Sequence, residues 1–181
     1  MESENSQIYD RNILEFVTVA LEFCSFVEKT GTQTVLDFTD KAIKILPLLY
    51  LKATLLPEIN DPAAEDIVPE QTVTEDMYES VRQQIASLLG EKDSYLETFH
   101  QDMQYSDTPI AAFISENMAD VYQDMGNFVA LFRQGNEDVM QAAVTICENN
   151  FKEFWGQQLL NALKALHNVR FDEDLLNEDE A

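Results

Sequence analysis

Apolar residues recur every three or four positions along most of this chain, a spacing that predicts long amphipathic helices rather than strands. Ile13, Phe16, Val17, Ala20, Leu21, Cys24 and Val27 place a first helix over about 7–29, stopped by Gly31. Phe23 and Phe26 widen its apolar side and call for a second neighbour. Thr34 caps the next helix, which runs through Val35, Phe38, Ala42, Ile45, Leu49 and Ala53 to Leu56. Pro47 falls inside it, where the ring removes one backbone donor and crowds the carbonyl of Ile43, so a kink or short break is expected. Thr72-Val73-Thr74-Glu75 has capping-box spacing and opens a third helix to Leu89, with Met77, Val81, Ile85 and Leu88 as its buried stripe. Tyr95, Leu96 and Phe99 suggest one or two further helical turns.

The strongest periodicity lies between Asp107 and His167. Asp107-Thr108-Pro109 reads as a helix start, followed by Ile110, Ile114, Met118, Val121, Met125, Phe128 and Phe132. Gly135 ends that helix and Asn136 caps the last one, expected to reach Asn168. At about thirty residues it would be roughly 45 Å long. Its buried stripe should be Cys147, Phe151, Phe154, Trp155, Ala162 and Leu166. Val139, Ile146 and Leu160 form a second stripe, either covered by another helix or turned toward a partner or second copy. The expected fold is all-α: one domain over residues 1–171, an antiparallel bundle of five or six helices with a long C-terminal helix. Residues 57–71 hold three prolines and five carboxylates and should form a mobile acidic loop, and 172–181 a disordered acidic tail.

Charge sharpens this picture. The 181 residues carry a formal −23, concentrated in two segments without a single base: eight acids from Glu58 to Glu79 and six from Asp172 to Glu180. Without those fourteen, twenty acids face eleven bases, so the remaining body is only moderately acidic. Such a field repels phosphates and anionic bilayers, which sets aside nucleic acid and membrane as direct ligands and favours a basic partner. Solubility alone is a second sufficient reason for the charge. The N-terminal residues lack the basic and apolar regions of a signal peptide, and Lys44, Pro47 and Lys52 interrupt the richest apolar run, so a cytoplasmic protein is expected. Cys24 and Cys147 lie on apolar stripes and read as buried free thiols, with a disulfide as the alternative.

Several constellations bear on chemistry. Glu116, Asp120 and Asp124 step along one helix at intervals of four, a spacing that can present carboxylates to a divalent cation. At roughly 100° per residue they sit some 130° away from the apolar stripe, so they should face solvent. Glu97-x-x-His100 is half of a dimetal carboxylate motif whose second half is missing. Glu75, Asp76 and Glu79 with Glu116 and Asp120 resemble only loosely the paired acids of helical nucleotide pyrophosphatases. Gln158 interrupts the last apolar stripe, and a buried amide needs a partner: a structural hydrogen bond, a trapped water, or a ligand. Trp155, Gln158 and Tyr122 are therefore the candidates for a ligand or partner pocket. No catalytic residue and no cofactor emerge: there is no glycine-rich phosphate loop and no zinc spacing.

Two segments, Asp107–Ala112 leading into Ile114–Asp124, and Asn150–Leu159 with Asn161–His167, resemble domain-of-unknown-function family 5063, small acidic helical proteins of Bacteroides and relatives. The resemblance implies an all-helical bundle in an intracellular bacterial setting and transfers no catalytic residue. The leading functional expectation is a non-enzymatic soluble binding or adaptor protein acting through protein contacts, as a monomer or homodimer. The alternatives are a divalent-cation-dependent enzyme of helical-bundle type, nucleotide pyrophosphatase-like, or an acidic decoy for a nucleic-acid-binding protein.

Overall fold

Helix α1 (Arg11–Glu28) starts where the Asp10 side chain accepts the N–H of Asn12, after a 3-10 turn over Gln7–Tyr9. The computed structural model describes residues 7–59, 66–97 and 101–179. Helix α2 (Val35–Thr54) is capped by Thr34, whose hydroxyl accepts the N–H of Asp37 at 3.1 Å. It runs through Pro47 without a break, the second of the two outcomes expected there. Pro47 is exposed, so the backbone donor it lacks is lost on the solvent side of α2 and not in the core.

Helix α3 (Glu75–Leu89) is capped by Thr74, which accepts from Met77, and not by Thr72 as capping-box spacing implied. Thr72 is engaged elsewhere: its N–H and hydroxyl, and the N–H of Val73, all donate to Oδ1 of Asn127. Val81 and Ile85 of the expected stripe are buried and Leu88 packs partly buried against the core; Leu89 is buried with them, and Met77 is exposed.

The segment between α3 and the next helix departs from the helical expectation. After a 3-10 turn at Gly90–Asp93, β1 (Ser94–Glu97) pairs antiparallel with β2 (Ile110–Phe113), Ser94 opposite Phe113 and Glu97 opposite Ile110. Tyr95 and Leu96 thus lie on a strand, and Phe99 lies outside the described residues. Thr108-Pro109 does not open a helix: α4 (Ile114–Phe132) begins after the ribbon, and its N-cap, Phe113, has no side chain able to cap. Asp93 does that work from a distance. Its carboxylate accepts both the N–H and the hydroxyl of Ser115 at 2.7 Å each, inside the fold.

Gly135, with φ of 72°, and the Asn136 cap behave as expected and start a helix of 34 residues, α5. It is α-helical over Glu137–Asn150 and Gly156–Arg170, with one π-helical turn at Phe151–Trp155 between them. Gly156 permits that wide turn, since a β-carbon there would stand 2.6 Å from the carbonyl oxygen of Phe151. Within the acidic C-terminal segment, helix α6 (Glu173–Asp179) places the side chain of Leu175 in the core.

The architecture is an all-α bundle with one two-stranded ribbon. Helix α4 is its axis, packed against α1, α3 and both halves of α5, while α2 closes the far side between α1 and α5. Phe16, Phe128, Phe151 and Trp155 form the aromatic centre, with Phe16–Phe128 and Phe151–Trp155 centroids 5.1 and 4.8 Å apart.

Candidate functional site

Because α4 is central, its carboxylates do not all face water as the angular estimate required. Glu116 is exposed, but Asp120 and Asp124 sit at helix interfaces. Asp120 accepts the Tyr78 hydroxyl of α3 at 2.9 Å, and Asp124 accepts the Asn150 amide of α5 at 2.7 Å. Burial raises both carboxyl pKa values, opposed by those hydrogen bonds and reinforced by a neighbouring carboxylate. Each acid is thus committed to a different helix. Among the described residues, no group of three or more His, Cys, Asp or Glu is placed to hold a metal ion. Glu97 accepts the Asn161 amide at 3.0 Å, and its proposed companion His100 lies outside the described residues.

Gln158 has a structural partner. Its Oε1 accepts the Asn117 amide at 2.6 Å, and Asn117 Oδ1 accepts the Tyr95 hydroxyl at 2.6 Å, so one relay joins β1, α4 and α5. Trp155 is fully buried, its indole N–H donating to the Cys147 carbonyl at 3.0 Å, and it fills the core instead of lining a pocket. Phe154, placed on the buried stripe by spacing, is exposed, because the π turn rotates it outward. Tyr122 stands apart from both. The structure therefore does not gather the three candidates into one pocket.

Tyr122 does line a cleft, of about 450 Å³, between α1, α3 and α4. Its hydroxyl donates to Glu28 at 2.9 Å, and burial, reinforced by that carboxylate, pushes the phenol pKa well up. Leu21, Val73, Met77 and Val129 supply apolar wall, while Glu28 and Arg133 bring opposite charges. Val73 is seated over Gly126, where a β-carbon would stand 2.5 Å from its Cγ2, and the Asn127 staple holds that strap in place. Nothing in sequence spacing marks Asn127 or Arg133.

A second surface feature is the outer face of α1 and α2. Leu48, Leu51 and Leu55, at steps of three and four, are each between 43% and 51% exposed, as is Leu14 on α1. Beside them Phe26, Ile45 and Leu48 line an apolar groove of about 340 Å³, edged by Glu22, Lys41 and Lys44. The bases here are largely neutralised within the face: Glu15 takes Arg11 and Lys52 at 2.7 and 2.5 Å, and Asp40 takes Lys44 at 2.6 Å. The signal was present in sequence, since leucines from 46 to 56 surround the helix on more sides than one core can cover.

Comparison with known proteins agrees with this architecture. The family model described as a domain of unknown function, DUF5063, matches residues 7–172. The crystal structure of a Bacteroides fragilis protein, a structural-genomics target, is similar with 43% sequence identity and a TM-score of 0.81, over 92% of this chain and 96% of that one. No curated protein matches the chain.

Proposed function

We propose that this chain, which belongs to the DUF5063 family, is a non-enzymatic binding protein that works through protein–protein contacts. The observation that carries the reading is the Leu48–Leu51–Leu55 stripe with Leu14 and the adjoining groove. A regular row of half-exposed leucines beside a concave apolar strip suits an amphipathic helix laid along α2. Charge selects its character. Eight acids follow Leu55 within the segment from Glu58 to Glu79, the whole chain stands at −23, and three of the face's bases, Arg11, Lys44 and Lys52, are engaged by Glu15 and Asp40. The occupant is therefore a basic amphipathic helix of a partner protein, drawn in by the field and held by the leucines. A cytoplasmic setting accords with this, as both cysteines are free and buried. Among the described residues no helix is long and apolar enough to cross a membrane.

The test uses a fluorescently labelled eighteen-residue helical peptide of leucine and lysine, titrated at physiological salt and followed by anisotropy. Fully covering a half-exposed leucine contributes on the order of 1 kcal/mol. Replacing two, as Leu51→Gln with Leu55→Gln, should weaken binding about thirtyfold. Equal affinity of wild type and variant would leave charge alone as the cause and overturn the docking face.

A further inference from the structure

The Tyr122 cleft lies on the other side of α1 from the α2 groove, shares only Glu22 with it, and has its own chemistry. Its volume, about 450 Å³, lies within the range of small-molecule sites, and its walls are mixed, with Leu21, Val73, Met77 and Val129 set beside Glu22, Glu28, Tyr122 and Arg133. Those polar groups carry both signs. Glu28 is exposed and uses one oxygen, Oε1, to accept from Tyr122, which fixes the carboxylate while leaving Oε2 for another donor. Arg133 is exposed at the end of α4 and forms no ion pair among the described residues. Both charges act on the same buried thiol, Cys24, Glu28 raising its pKa and Arg133 lowering it, so both lie within electrostatic reach of one sulfur. A guanidinium without a partner near a carboxylate with a spare oxygen invites a ligand that satisfies both.

We infer that the Tyr122 cleft binds a small amino-carboxylate zwitterion with an apolar body, its carboxylate on Arg133, its ammonium on Glu28, and its body against Val73, Met77 and Val129. A free amino acid and a short peptide share this chemistry. The built floor favours a defined ligand over loose adsorption: the strap at Thr72–Val73 is held by three hydrogen bonds to Asn127, and Val73 has no freedom to sink toward Gly126.

Isothermal titration calorimetry of the full chain at physiological salt tests this with four probes. L-Leucine and L-leucyl-L-leucine carry both charges, at short and long separation; 4-methylpentanoate lacks the ammonium and 3-methylbutylamine lacks the carboxylate. One of the two zwitterions should bind at least tenfold more tightly than either singly charged probe, and the better of the two identifies the source. Arg133→Met and Glu28→Gln, both at exposed positions, should each weaken that zwitterion by at least tenfold, with the circular dichroism spectrum unchanged. No heat from either zwitterion at 10 mM, binding of the amine alone as strong as that of the zwitterion, or indifference to Arg133→Met would each overturn the assignment.

Discussion

Replacing Asp93 by alanine should be among the most damaging single changes in this protein, although Asp93 lies in a 3-10 turn outside every α-helix. Its two carboxylate oxygens accept the N–H and the hydroxyl of Ser115 at 2.7 Å each. Ser115 is fully buried and Asp93 only 6% exposed, so no water can replace the lost acceptor. Loss of a helix cap costs about 1 kcal/mol, and a buried hydroxyl left unpaired costs about 1–3 kcal/mol more. Asp93→Ala is therefore expected to destabilise by about 3 kcal/mol. For a chain of this length, that lowers Tm by about 6–12 °C. Asp93→Asn keeps one acceptor and should cost only about 1 kcal/mol. The assay is thermal and urea unfolding followed by circular dichroism, for Asp93→Ala, Ser115→Ala and the double variant. The two sites share a bond, so the cycle should show a coupling of at least about 1 kcal/mol. Additive effects, or a fall of less than 2 °C for Asp93→Ala, would refute the reasoning that a distant carboxylate caps α4.

Three other outcomes are expected. Gly156→Ala should cost about 1–2 kcal/mol net despite alanine's better helix propensity, because its β-carbon would meet the Phe151 carbonyl at 2.6 Å; urea unfolding as stable as wild type would show that the π turn relaxes freely. Burial pushes the Cys24 thiol up to about 12 and raises Cys147 well above its usual range, so iodoacetamide at pH 8 should modify neither in the folded protein and both in urea, as read by mass spectrometry. Asp124 has a folded pKa raised above its ordinary 3.8, so its contribution is most favourable below that pH and is lost as pH rises through the folded value. Asp124→Asn, which can still accept from Asn150, should then gain Tm relative to wild type as pH rises from acid to neutral, and a difference that shrinks toward neutral pH would contradict it.

The helices were legible where apolar spacing was continuous and a side chain at the boundary made the cap, as at Thr34 and Asn136. Legibility failed where the cap came from elsewhere. Thr108-Pro109 carries the local signal for a helix start, yet the chain pairs as a ribbon first and α4 is capped by Asp93, 22 residues earlier. Spacing places neighbours within one helix and says nothing of such a contact. The candidate site was partly legible for the same reason. Gln158 announced a need for a partner, and the partner proved to be Asn117. Asp120 and Asp124 looked solvated because a single apolar stripe was assumed, whereas α4 is surrounded by helices. The π turn at 151–155 shifts every later residue of α5 by part of a turn, which is why Phe154 left the predicted stripe.

Hydrogen exchange of the full chain, alone and saturated with the leucine–lysine peptide, tests the central claim most directly. The docking account predicts slowed exchange concentrated in α2 around residues 44–55 and on α1 around Leu14. Protection confined to the acidic segments 58–79 and 172–180, with α1 and α2 unchanged, would contradict it and favour an acidic surface that attracts bases without a docking face.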